Sequence, residues 1–191
     1  MGWTVTPWLA GIVTQMRSQH NRTNMKDFER RVINVMIYQG MLPTNGVFDI
    51  TEEHLKSYIE VYGSIFGTQS GGTRTKQNLK YARKLAGRTL IRLLSERGAR
   101  FNQIRAGMVY MISNPAFPDH LKIGMTLDVI ARLAQYQTYD PMRQFKLERY
   151  NFVLDRRHNE RLILTHPDII NESGEWVEKI TADTIFLRLV K

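Results

Sequence analysis

The sequence predicts an α+β chain, helical in its first half and built on a small sheet with flanking helices in its second. Two observations carry this. Apolar residues recur at helical spacing as far as Gly98, and from Gly107 they change to short strand-length runs interleaved with helical ones. The change falls within residues 98–106, which divides the chain into a helical part, 1–105, and an α+β part, 106–191.

"KDFERRVINVMIYQG" places Phe28, Val32, Val35 and Met36 along one helix face, with Gly40 as the stop. "ITEEHLKSYIEVYG" opens with Thr51 as N-cap and with Glu52 and Glu53 at the positive end of the helix dipole; Gly63 is its expected end. "TQSGGTRT" is a Gly- and Ser-rich connection. The next helix, "TKQNLKYARKLAGRTLIRLLSERG", carries a core stripe of Leu79, Ala82, Ala86, Leu90, Leu93 and Leu94 and stops at Gly98. In the second half, "MVYMIS", "LKIGMT" and "QFKLERYNFVLD" are expected strands, and "TLDVIARLAQYQ" and "RRHNERLILTHP" expected helices. "GEWVEKI" and "TIFLRLV" are expected to close the sheet as strands.

Charge narrows the function classes. The 191 residues carry a net charge of +9, and between Thr73 and Arg105 ten basic residues face one acidic residue, Glu96. Lys76, Lys80, Lys84, Arg88 and Arg92 recur at every fourth position. Four residues turn a helix by about 400°, so the row winds as a ridge roughly 24 Å long. With no carboxylate expected beside it, the ridge suits nucleic-acid phosphate; a solvated helix face or an acidic protein partner are the other readings. The chain has no cysteine, which excludes disulfides, Cys-ligated zinc and thiolate nucleophiles and agrees with a reducing cytosol. "MGWTVTPWLAGIVTQM" lacks a basic start and is broken by Pro7, so neither a signal peptide nor a membrane span is expected.

The element order brings a set of polar residues together. Tyr110 lies in the first strand and Lys122 in the second. Arg132 and Tyr136 stand one turn apart on the following helix, and Glu160 follows the third strand. The set suits phosphodiester hydrolysis: a carboxylate for Mg²⁺, a guanidinium for charge developing on phosphorus, and a phenol or amine to accept a proton. Each also has a plain structural reading, as a core tyrosine, an edge-strand lysine, a surface arginine or a first-turn carboxylate.

These segments resemble the GIY-YIG nuclease family, particularly its phage-associated branch, over roughly Ala106 to Ile180. "MVY" stands where the first tripeptide is expected and "KIG" where the second is. "DVIARLAQY", "HNERL" and "GEWV" follow in order. The resemblance implies a small central antiparallel sheet flanked by helices, and a DNA endonuclease dependent on Mg²⁺ (or Mn²⁺). It also implies action in a host cytoplasm if the protein is phage-encoded. Tyr110, Lys122, Arg132, Tyr136 and Glu160 would be catalytic, with Glu160 on the metal and His158 close enough to support it. The helical part would be an appended DNA-selecting module. Two departures stand out: Gly-Ile-Tyr has become Met-Val-Tyr, with Gly107 one position upstream, and the second tyrosine is Lys122. The general base is therefore Tyr110 or Lys122, and we favour Tyr110 with Lys122 as its electrostatic partner. A non-catalytic nucleic-acid-binding protein that keeps the fold, or a basic protein-binding module, are the alternatives.

Overall fold

The computed structural model describes residues 25–66, 76–169 and 171–189. The expectations for the N-terminal segment and for "TQSGGTRT" lie outside these residues.

Three helices come first: α1 (Asp27–Tyr38), α2 (Glu52–Phe66) and α3 (Lys76–Glu96). α1 buries Val32, Ile33 and Met36. It ends where expected, with Gly40 in the left-handed region at φ 70°, a conformation that costs glycine little. Thr51 and His54 satisfy each other at the start of α2. The Thr51 hydroxyl accepts from the His54 N–H at 3.3 Å, and His54 Nδ1 accepts from the Thr51 N–H at 3.2 Å. α2 does not stop at Gly63. It continues to Phe66, whose ring packs 5.1 Å from Tyr62 and 6.4 Å from Phe28. Aromatic burial there outweighs the roughly 1 kcal/mol that glycine costs inside a helix. Gly98, at φ 84°, follows α3.

The second half adds β1 (Gly107–Ser113), β2 (His120–Thr126), α4 (Val129–Tyr139), β3 (Lys146–Val153) and α5 (Arg156–Leu164). It closes with β4 (Asn171–Ser173), β5 (Trp176–Glu178) and α6 (Lys179–Leu189). The five strands form one antiparallel sheet in the order β3-β1-β2-β5-β4. Residues 184–189 of "TIFLRLV" are helix, which corrects the strand expectation. Ala182, Ile185 and Phe186, at helical spacing, are the buried residues of α6, whereas Leu187, which strand alternation would bury beside Ile185, is exposed.

β1 is an interior strand between β3 and β2, and its residues up to Ile112 are buried on both faces. Val109 and Met111 join Leu121, Ile123, Ile163, Ile185 and Phe186 under α5 and α6. Tyr110 and Ile112 pack on the opposite face with Val129 of α4. The largest core cluster joins the two halves of the chain, because Met108 and Phe152 of the sheet belong to it along with Ala86 and Leu90 of α3. Gly87 allows this approach: a Cβ there would stand 2.2 Å from the Phe152 ring. Among the described residues no helix is long and apolar enough to cross a membrane.

Candidate active site

Tyr110 sits opposite Gly124 of β2 and Tyr150 of β3. Its ring lies across β2 at the glycine, where an added Cβ would stand 2.4 Å from the phenolic oxygen. This carries the hydroxyl toward α4. There it lies 3.1 Å from the Tyr136 hydroxyl and accepts from Arg132 Nε at 3.4 Å. Arg132 also donates to Gln135 Oε1 at 2.9 Å. Asp128 is the N-cap of α4, its Oδ1 accepting from the N–H groups of Ile130 (2.9 Å) and Ala131 (3.1 Å). The Asp-x-x-x-Arg spacing is thus a cap followed one turn later by the cation it positions. Burial, then the bond to Tyr136, pushes the Tyr110 phenol well above its ordinary range; Arg132 pulls the other way.

Glu160 comes from α5 on the other side of the sheet end. Its carboxyl is raised first by burial and next by the nearby Glu175 carboxylate. A hydrogen bond from the Met125 N–H and the charges of Arg156 and Lys122 oppose the shift. Glu175 lies in the turn between β4 and β5, and its Oε2 pairs with Lys122 Nζ at 2.8 Å. Tyr110, Gly124, Arg132, Gln135, Glu160 and Glu175 line one cleft of about 520 Å³, and Phe101, from the segment before β1, forms part of its wall.

Four expected residues thereby come together: Tyr110 and Arg132 directly, Tyr136 through its hydroxyl, and Glu160 across the cleft. Lys122 pairs with Glu175, and the cation hydrogen-bonded to the Tyr110 phenol is Arg132, which corrects the expected Tyr110–Lys122 pairing. His158 is exposed and is not part of the cleft wall. Two positions apart on a helix, His158 and Glu160 do not share a face. Glu175 and Phe101 are cleft residues that were not singled out in the sequence. "GEWV" carried the signal for Glu175, and nothing local marks Phe101.

The basic ridge is also corrected. A carboxylate from another helix does offset it: the fully buried Glu29 of α1 pairs with Arg92 at 2.9 Å and Arg88 at 3.6 Å; beside the ridge, Glu52 of α2 holds Arg83 bidentately at 2.5 and 2.7 Å. Lys84 donates to the Tyr150 carbonyl at 2.8 Å with its ammonium 3.7 Å from that ring's centre. Burial, and next the charge of Lys80, pushes Lys84 down to about 8. Lys80 is exposed. The Lys76 side chain lies outside the described residues. Lys84 and Arg88 border a smaller cavity of about 80 Å³ that shares Leu127 and Asp128 with the main cleft.

Fold and site together define an α+β domain with a tyrosine–arginine–carboxylate cleft at one end of a small antiparallel sheet. Residues 107–185, from β1 into α6, match the family model of the T5orf172 domain, a phage T5-derived domain family. No curated protein and no solved structure gives a significant match to the chain.

Proposed function

We propose that the protein is a GIY-YIG-type, Mg²⁺-dependent DNA endonuclease. The observation that carries this reading is the convergence of the Tyr110 hydroxyl, the Arg132 guanidinium and the Glu160 and Glu175 carboxylates on one open cleft. Phosphodiester hydrolysis needs a proton acceptor, a cation for the charge growing on phosphorus, and an oxygen-ligand anchor.

The residues fit a divalent ion. Two carboxylates close enough to raise the Glu160 pKa leave excess negative charge that a cation relieves. Among the described residues no three His, Asp or Glu side chains cluster to hold a metal. Glu160 and Glu175 would therefore bind it, and Mg²⁺ ordinarily combines one or two carboxylates with water and substrate phosphate. When bound, the ion supplies Lewis acidity to the phosphate. Arg132 directs its guanidinium at the cleft, where it offsets transition-state charge. Tyr110, in the small fraction of molecules where it has already lost its proton to solvent, accepts the proton of the attacking water at its phenolate oxygen, and Tyr136 orients that oxygen from 3.1 Å. Lys122 restrains Glu175. The exposed Lys80, together with Lys84 and Arg88 beside the smaller cavity, would lead DNA phosphate toward the cleft.

Incubation of supercoiled plasmid with and without Mg²⁺ tests the reading. Mg²⁺-dependent nicking or linearisation is expected, and Glu160→Gln should reduce it at least on the order of 10²-fold while DNA still binds. An intact plasmid with every divalent metal tried would overturn the catalytic reading. DNA retardation in that event would indicate a non-catalytic binding protein.

A further inference from the structure

Arg156 is a fully buried cation that the reaction above does not use. Its guanidinium donates to the carbonyls of Phe101 (2.6 Å), Ala106 (3.1 Å) and Ile104. Burying an arginine is costly unless its donors are satisfied, and here the two terminal nitrogens are spent on gathering the backbone of residues 101–106, while the buried Nε has no partner. The same guanidinium lies 4.3 Å from the centre of the Phe101 ring. The neighbouring Arg157 reinforces the segment, donating to Asn102 Oδ1 at 2.9 Å. Gly107 makes room: a Cβ there would stand 2.6 Å from Arg156 Cδ and 2.7 Å from the Thr126 carbonyl oxygen.

The outcome is a phenyl ring backed by a buried cation and 49% exposed, in the wall of the cleft that holds Tyr110, Glu160 and Glu175. Phe101 also lies outside the T5orf172 match, so this wall is supplied by the chain's preceding segment. A rigid, half-exposed aromatic ring costs little entropy on binding and offers a flat apolar face. Beside a scissile phosphodiester, the flat groups within reach are the nucleobases. A base inside a duplex is covered on both faces by its neighbours, so only an unstacked one can lie on the ring.

Resting on the endonuclease reading, we propose that Phe101 is the stacking platform for the base next to the scissile phosphate, and that the enzyme cuts where that base is unpaired or extruded. Arg156 is its positioning residue. Flaps, single strands and mismatched sites are then better substrates than uniform duplex.

The test uses the full-length protein and oligonucleotides whose cleavage site is mapped by product length. Removing one base at a time should lower kcat/KM about 5- to 150-fold at a single position flanking the cut, the range for loss of one base–aromatic stack. Phe101→Leu should cause a similar loss on intact DNA and abolish the sensitivity to base removal, and Phe101→Trp should retain both. Because Phe101→Leu could loosen the Arg156 segment, the wild type is also irradiated on DNA carrying 5-iododeoxyuridine at the sensitive position. Crosslinking to Phe101 supports the proposal. Crosslinking elsewhere, or uniform tolerance of base removal, overturns it. If the wild type cuts no DNA, the endonuclease reading fails by itself. The crosslink and the same base-removal scan read by binding affinity then decide the platform independently.

Discussion

At the scale of single residues, Gly124 decides where Tyr110 can be. Any side chain there meets the phenol, so Gly124→Ala must displace the ring or the strand. A cost of about 1–3 kcal/mol is expected, the range for overpacking a core. In a Tyr110→Ala background the same change should cost far less, because the clash is gone. Urea unfolding of the four variants measures this, and equal costs in both backgrounds would refute the clash. The two ends of the pH–rate profile follow from Tyr110 and Glu160. Burial raises the phenol, so at neutral pH it is protonated. If its phenolate is the base, the rate should climb about tenfold per pH unit with no plateau up to pH ~10, and Tyr110→Phe should flatten that rise while removing most activity. At the acid end the raised Glu160 carboxyl should fail at a higher pH than an ordinary carboxyl. Glu175→Gln should move that limb to lower pH by removing a like charge and freeing Lys122 to act on Glu160. NMR titration of the Glu160 carboxyl reads the same shift without catalysis, and an upward movement would contradict the proximity of the two carboxylates.

At the scale of elements, α3 divides its cations between solvent and fold. Lys80 is exposed, whereas Arg92 faces the fully buried Glu29. Lys80→Gln should leave stability within about 0.5 kcal/mol and flatten the log K against log[salt] slope by roughly 0.9 on duplex DNA. Arg92→Gln should destabilise by about 1.5–3 kcal/mol, because it leaves the buried Glu29 carboxylate with only the Lys26 N–H at 3.0 Å and the more distant Arg88, and should hardly change that slope. Reversal of the two results would mean that Arg92 is the phosphate contact. The sequence revealed the row of cations but not the Glu29 and Glu52 carboxylates, which arrive from helices distant along the chain. α6 failed for a related reason. In "TIFLRLV", Ile185, Leu187 and Leu189 alternate like a strand, and only the neighbours above Ala182, Ile185 and Phe186 select the helix. Elements fixed by local chemistry, such as α1 with its Gly40 stop, α2 with its Thr51–His54 start and α4 with its Asp128 cap, were legible. In the site, the convergence of Tyr110, Arg132 and Glu160 was legible from the order of the motifs; the Lys122–Glu175 pair and the outward His158 were not, nor was Phe101, whose placement depends on Arg156, far along the chain.

At the scale of the whole molecule, the division at 105/106 marks a change in pattern, but the core crosses it. Phe152 is fully buried, its ring against Gly87 of α3, and it belongs to the same cluster as Ala86, Leu90 and Met108. Three helices and a sheet that share one apolar cluster should unfold together, since neither can expose its share without exposing the other's. Phe152→Ala probes this joint. It should cost about 3–5 kcal/mol, the range for emptying a packed aromatic site. The loss should also be felt on both sides. Amide exchange of the slowest protons in α2, which makes no part of the sheet, should accelerate by the same factor as that in β1, and thermal unfolding should remain one transition with equal calorimetric and van't Hoff enthalpies. If only β1 and its neighbours lost protection while α2 kept its own, the helices would be an independent domain. Shared loss would instead mean that Phe101 is held over the cleft by the same cooperative unit that carries the basic helix, so a strand bound along α3 and a base seated on Phe101 would report on one folding equilibrium.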